Sequence, residues 1–451
     1  MYSLLCLVPV CLMGQNLSCA QWAEQDLFRG AQLSLHFRDL QSGQTLDSYQ
    51  ADQYLIPASN LKIITTAAAM DILGPHFRFA TTVGLDGVQR EGKWQGNLWI
   101  KGGGDPCWNS NYFPEHTITR LAEYIFSALR QNGISSLQGD ILLDVQGFDQ
   151  HWHNRDWSWV DIGNYYGISS SAFNCNDNAL NVRFNTEGAI GEKAKIQSVE
   201  PHLPINWDNQ VIIGAPGSGD QAYVFGNAQD VHRIIRGSVP KKGPHFDIRA
   251  SMSDPQQFFA RQLVGALKKL GLKFDGPPQI LVGASMGREL VSVYSPELHE
   301  IINYINRESN NLFAEAIYKY LYTLESKRFT EWKEEQLGEN PYRWKDGCGL
   351  SPFNRFSARM MTDVLVSQSN QEKFMLSLAA PGKEGTLRYR LGGLTIRAKT
   401  GSIEGVSTLS GYLWGEEGNA YAFSLMLNNY HGSSRALYQE IQNLLKSWSD
   451  R

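Results

Sequence analysis

Three short clusters in this chain hold residues able to do chemistry. Ser59 and Lys62 stand three apart at the start of an Ala-rich run, so on a helix they share one face and touch. A serine hydroxyl is a weak nucleophile until a neighbouring base removes its proton. A lysine serves as that base once burial and a second cation depress its pKa. Ser309 and Asn311 sit in the helical stretch from Ile302 to Glu315, where two consecutive Asn are poor helix formers. A break there turns polar groups into a cleft, with Ser309 relaying a proton to a leaving amine and Asn311 holding an amide carbonyl. Lys399, Thr400 and Gly401 end an apparent strand. Lys399 offers the second cation, Thr400 a hydroxyl for a substrate carboxylate, and Gly401 room for substrate along the strand edge. The backbone N–H groups of Ser59 and Ser402 suit an oxyanion hole. Each cluster alone has a plainer reading. About two S-x-x-K matches arise by chance in a chain this long, S-x-N can be a solvated kink, and K-T-G a charged strand end.

The elements that must position these groups follow from the hydrophobic pattern. Gln32 to Phe37 alternates and Ser42-Gly43 marks a turn, which predicts a hairpin over 31–48. The run from Ser59 to Met70 lacks Gly and Pro and stops at Gly74-Pro75, which predicts a buried helix. From 76 to 292 short β-rich segments alternate with Gly and Pro, and only 117–132 and 255–271 read as helices. A helical pattern resumes over 296–322. Three strands follow at Ile396–Thr400, Ser407–Trp414 and Ala420–Asn428, and an amphipathic helix closes the chain over 433–448. The predicted class is α/β (α+β): a catalytic domain split between 21–75 and 293–451, interrupted by one or two mainly β accessory domains at 76–292.

The chain's 451 residues leave room for two or three domains. Its net charge of −4 provides no polybasic footprint and argues against a nucleic-acid partner. The 12 Trp and 19 Tyr suit carbohydrate or peptide contacts as well as buried cores. The apolar run Ser3 to Gly14 followed by Ser18-Cys19-Ala20 predicts a signal peptide over 1–20 and export to the periplasm, although no Lys or Arg precedes Arg29. Cys19 invites a lipid anchor, but Asn16-Leu17-Ser18 matches the usual cleavage box poorly. No later apolar run is long enough to be a transmembrane anchor. Cys107, Cys175 and Cys348 lack metal-ligand spacing, and whether Cys107 pairs with Cys175 stays open. Gly102 to Gly104 lacks the Lys-Ser/Thr of a phosphate loop.

Taken together and in order, S-x-x-K, S-x-N and K-T-G match the signature set of class A β-lactamases and penicillin-binding proteins. Ser309 follows Ser59 by 250 positions and Lys399 follows Ser309 by 90. The first gap is much shorter in class A β-lactamases. Filled by a β-rich insertion, it resembles the class C low-molecular-mass penicillin-binding proteins of the penicillin-binding protein 4 type. Gly102-Gly-Gly-Asp-Pro106, Trp157-Ser-Trp-Val-Asp161 with Tyr165 and Ser169 to Ala172, Asp346-Gly-Cys-Gly-Leu-Ser351 and Gly385-Thr-Leu-Arg388 resemble further segments of that family, across nearly the whole mature chain. Two places depart from it. Cys348 replaces a Ser, and the stretch between Tyr322 and Lys345 is short and highly charged.

The resemblance implies a serine β-lactamase/transpeptidase-like domain. It implies a D-Ala-D-Ala carboxypeptidase, with or without endopeptidase activity, that cuts peptidoglycan peptides through an acyl-enzyme on Ser59 and is acylated by β-lactam antibiotics. Ser59, Lys62, Ser309, Asn311 and Lys399 would be catalytic. Thr400, Gly401, Ser402, Asp161 and Tyr165 would bind substrate. No metal and no cofactor are expected. A β-lactamase or esterase of the same fold is an alternative, separated by the lifetime of its penicillin acyl-enzyme. A non-catalytic peptidoglycan-binding protein is another, against which the complete set of catalytic residues argues.

Overall fold

Strands near the two ends of the chain meet in one sheet. The computed structural model describes residues 17–148, 154–227, 229–274, 276–283, 287–383 and 385–451. Its main sheet runs, in order, Thr395–Ile403, Val406–Trp414, Ala420–Asn428, Gln32–Asp39 and Thr45–Tyr49, all antiparallel. The inner strand Ala420–Asn428 is buried almost throughout, as a strand covered by helices on both faces must be. On one face lies the closing helix Ser434–Ser449, whose apolar stripe from Leu437 to Trp448 fills the core. Trp448 stacks on Phe37 of the sheet, with ring centroids 4.2 Å apart. On the other face lies Leu61–Leu73, an all-round buried helix, with Leu298–Arg307, Asn311–Thr323 and Ala358–Ser367 around it. The result is a three-layer α/β arrangement.

The charged stretch after Tyr322 forms a helix of its own, Ser326–Leu337, which turns Phe329, Trp332 and Leu337 inward. Of the expected leader, residues 1–16 lie outside the described residues. Ser18 to Ala20 lie among the described residues. Ser18 caps a short helix, Cys19–Ala23, and the buried Cys19 donates its backbone N–H to Asp47 at 2.8 Å. A small polar residue serves equally as a helix cap and as part of a cleavage signal, so composition alone does not separate the two.

Between the two parts of this body lies a segment with its own core. Its first strand, Ala80–Leu85, pairs antiparallel with its last, Arg288–Tyr294, from Ala80 against Tyr294 onward. The segment therefore enters and leaves on neighbouring strands. They belong to a five-stranded sheet completed by Leu98–Lys101, Ile141–Asp144 and Gln279–Leu281, accompanied by three smaller three-stranded sheets. Ile118–Gln131 and Pro255–Lys269 are the α-helices among its described residues. Cys107 and Cys175 are both free, buried thiols.

Candidate active site

Ser59 sits in a single 3-10 turn, Ala58–Asn60, directly ahead of Leu61–Leu73. Lys62, one turn on, is fully buried and its Nζ has three acceptors: Ser59 Oγ at 2.9 Å, Asn311 Oδ1 at 2.7 Å and the Cys348 carbonyl at 2.7 Å. The Asn311 amide is oriented by its Nδ2, which donates to the Tyr166 carbonyl at 2.8 Å. Two of the three partners of Lys62 can only accept. A neutral amine keeps two N–H bonds and one lone pair, so the two N–H groups go to Asn311 and Cys348. In that neutral form the lone pair would face the Ser59 hydroxyl, which is the geometry of a base. Burial lowers the Lys62 pKa, against the opposing pull of Cys348, Asp346 and Glu315.

Ser309 occupies the break between Leu298–Arg307 and Asn311–Thr323, in a left-handed conformation with φ 60°. Asn310 caps the second helix by accepting the N–H of Phe313. Ser309 Oγ accepts from Lys399 Nζ at 2.9 Å, and Lys399 also donates to the Thr400 carbonyl at 2.6 Å. Lys399 is fully buried, and its pKa is pushed well below the ordinary lysine range, first by burial and second by Lys62. Two buried lysines thus meet two serine hydroxyls.

The close approach of the edge strand to Ser59 requires a glycine. A Cβ on Gly401 would lie 2.3 Å from Thr408 Oγ1 and 2.9 Å from the Ser59 backbone nitrogen. Gly349 has the same duty on the other side: φ is 83°, and a Cβ would lie 1.9 Å from the Ala58 carbonyl. The loop holding Gly349 is built on acids. Asp346 accepts from the N–H groups of Gly349 (2.8 Å) and Ser351 (2.6 Å), from Asn354 (2.8 Å) and from the Trp157 indole (2.8 Å). Glu315 Oε1 accepts from the N–H groups of Gly347 (2.7 Å) and Cys348 (2.8 Å). Burial, with Asp346 second, pushes the Glu315 carboxyl up to about 7.

Ser59, Ser309, Asn311 and Ser402 open into one cleft of about 840 Å³, whose far wall carries Asp161 and Tyr165 from the intervening segment. Lys62, Lys399 and Gly401 lie buried beneath it. Asp161 is half-buried, interacts with the Tyr166 side chain, and has its carboxyl raised above the ordinary range by burial. Tyr165 is half exposed under the Arg249 guanidinium, 4.9 Å from the ring. Thr400 is the exception. Its hydroxyl bonds Thr386 Oγ1 at 2.9 Å, within Gly385-Thr-Leu-Arg388. The sequence reading missed Glu315 as a site residue. The available signal was an acid inside an apolar helical run, one turn after Asn311.

The model of the D-Ala-D-Ala carboxypeptidase 3 (S13) family matches residues 15–451. A D-alanyl-D-alanine carboxypeptidase DacB of Haemophilus influenzae is 25% identical over 431 residues, covering 90% of this chain and 87% of that protein. A D-alanyl-D-alanine carboxypeptidase of Actinomadura sp. (strain R39) is 26% identical over 452 residues, covering 92% and 81%. The crystal structure of penicillin binding protein 4 from H. influenzae superposes with a TM-score of 0.78 at 24% identity, over 94% of this chain and 99% of that one. A β-lactam complex of that protein gives 0.72 at 22% identity over the same shares.

Proposed function

The chain belongs to the D-Ala-D-Ala carboxypeptidase 3 (S13) family of serine peptidases, and from that premise we propose how its residues divide the reaction. Ser59 Oγ attacks the carbonyl carbon of the penultimate D-Ala while Lys62 takes its proton. The oxyanion is held by the N–H groups of Ser59 and Ser402. The proton taken by Lys62 is relayed through Ser309, held by Lys399, to the departing D-Ala amine, so that Lys62 is again neutral and Ser309 again a hydroxyl, and Asn311 orients the substrate amide. Lys399, with Thr400 behind it, supplies the positive field for the terminal carboxylate. Water then cleaves the ester and regenerates Ser59. The segment 76–292 acts as an accessory unit that lends Asp161 and Tyr165 to the far wall, where the rest of the stem peptide lies. Substrate is the peptide of periplasmic peptidoglycan, and β-lactams acylate the same serine. No helix among the described residues is long and apolar enough to cross a membrane.

The observation that carries this reading is the contact set of Lys62. One buried amine reaches residues 59, 311 and 348 and has only Ser59 able to give it a proton. Labelled penicillin tests it. The wild type should carry the label on the peptide containing Ser59, and Ser59→Ala should carry none. A label on any other residue overturns the assignment.

A further inference from the structure

Trp157 and Trp159 are two residues apart and behave oppositely. Trp157 is 7% exposed and donates its indole N–H to Asp346, whereas Trp159 is 58% exposed. The loop between them is well held. Asp161 N–H bonds the Ser158 carbonyl (3.0 Å), Asn164 Nδ2 donates to the Val160 carbonyl (2.7 Å), and Asn164 Oδ1 accepts from Val224 N–H (3.1 Å). Trp159 is therefore presented to solvent by a fixed turn.

Trp159 does not face the catalytic cleft. Ser158 and Val160 line that cleft, while Trp159 lines a second hollow of about 280 Å³ beside it. The strand Tyr223–Phe225 makes the same division, with Tyr223 on the cleft, Phe225 on the hollow and Val224 buried between them. The floor is the outward face of His232–Pro240, with His232, Ile234 and Arg236 at alternating positions. The Arg236 guanidinium lies 4.4 Å from the Phe225 ring centroid, and Asp230 stands at the rim. Flat apolar faces from Trp159, Phe225 and Ile234 are thus ringed by an acid, an imidazole and a guanidinium.

That mixture suits a sugar ring. The C–H face of a pyranose stacks on an indole, and its hydroxyl and acetamido groups need both donors and acceptors at the edge. An acid and a guanidinium on the same lining suit a neutral ligand with both donors and acceptors, and three polar side chains disfavour a purely apolar guest. Trp159 and Ile234 are both exposed there, so the apolar faces are open to a ligand. Ser158, Val160 and Tyr223 line the cleft while Trp159 and Phe225 of the same turn and strand line the hollow, so the two adjoin. A stem peptide in the wall is covalently attached to a strand of amino sugars. We propose that the Trp159 hollow is a glycan subsite that takes an N-acetylhexosamine ring of the strand whose stem peptide occupies the catalytic cleft. This rests on the carboxypeptidase reading of the cleft.

The test compares two substrates with the same pentapeptide, one free and one carried on an N-acetylglucosaminyl-N-acetylmuramyl disaccharide. Trp159→Ala should lower kcat/KM for the disaccharide-linked substrate about three- to tenfold, the range expected for one aromatic stacking contact. The free peptide and penicillin acylation should be unaffected. Independently, the N-acetylglucosamine trimer should quench tryptophan fluorescence saturably in Ser59→Ala and not in the Ser59→Ala/Trp159→Ala pair. Equal loss on both substrates, or no loss on either with no trimer binding, overturns the proposal. So does a change of sedimentation in Trp159→Ala without a sugar effect, which would make the hollow a contact between copies of the chain. Trimer binding through Trp159 in a protein that cuts neither substrate would sink the carboxypeptidase reading and leave the glycan site standing.

Discussion

Two glycine-rich acidic loops in this molecule look alike in sequence and differ in what they hold. Asp346-Gly-Cys-Gly-Leu-Ser351 and Gly102-Gly-Gly-Asp-Pro106 each bury an aspartate and press glycines against a neighbouring backbone. In the second, Asp105 accepts from Cys107 N–H (2.8 Å) and pairs with His116 Nε2 (2.7 Å), while a Cβ on Gly103 would lie 2.1 Å from the Ala80 carbonyl. Every partner there is structural, and none of these residues lines the cleft. In the first, the same devices place the Cys348 carbonyl on Lys62 and the Gly349 backbone against the Ser59 turn. A buried acid with a complete set of donors makes a rigid loop. The two loops part where that rigidity is passed on: only the first reaches a buried amine that itself contacts a serine hydroxyl.

The largest expected effect tests that amine. Lys62→Arg keeps a long basic side chain but cannot act as a base near neutral pH, so penicillin acylation should fall about a thousandfold in a protein with unchanged circular dichroism. Acylation within tenfold of wild type would remove Lys62 from the base role. The glycines break the comparison directly. Gly349→Ala and Gly103→Ala should each cost about 3 kcal/mol or more, because each new methyl meets a carbonyl. In whatever fraction folds, Gly103→Ala should acylate normally and Gly349→Ala should not; equal acylation rates for the two would erase the distinction drawn here.

Glu315 sharpens the comparison through pH. Its folded pKa lies above the ordinary 4.5, at about 7. Between those values the folded state binds more protons than the unfolded one, so this group's contribution to stability falls as pH rises from about 4.5 to about 7, then levels. Gln at this position keeps an oxygen for the Gly347 and Cys348 N–H groups and has no charge to bury. Relative to wild type, Glu315→Gln should therefore gain up to about 3 kcal/mol in urea melts between pH 5 and pH 8. A gap between the two proteins that does not change with pH would show that Glu315 is not titrating there. The smallest effect belongs to the far wall. Asp161→Ala should leave penicillin acylation within about twofold and alter the ratio of kcat/KM values for peptides differing at the third residue by about tenfold. Loss of acylation in folded Asp161→Ala would move that residue from substrate preference into the reaction itself.

Much of this architecture was legible because the motifs are short and local. Ser59 and Lys62 are one turn apart, and the Asn310-Asn311 pair announces its own helix break. The closing strands and helix carry strong periodicity. Glu315 was harder, since its partners are the backbone N–H groups of residues 347 and 348, which carry no side-chain signature. The partner of the Thr400 hydroxyl was hidden for a related reason: Thr386 stands fourteen residues earlier in an irregular stretch. The Ser18 cap shows the limit from another side, since one residue type satisfies two rules. In the intervening segment, three-residue strands such as Val88–Arg90 and Lys93–Gln95 are too short for a period to register.

The pairing of Gln32–Asp39 with Ala420–Asn428 has a consequence for the order of events in the life of the chain. A ribosome delivers the first of these strands almost four hundred residues before its partner. Until then the sheet cannot close, and loop closure over such a distance makes late folding steps slow. Ser59 emerges early, but the residues at positions 311, 348 and 399 that complete its surroundings follow much later. A partly made chain therefore lacks the completed surroundings of Ser59, and on the proposed mechanism its hydroxyl would stay inactive until position 399 has been made.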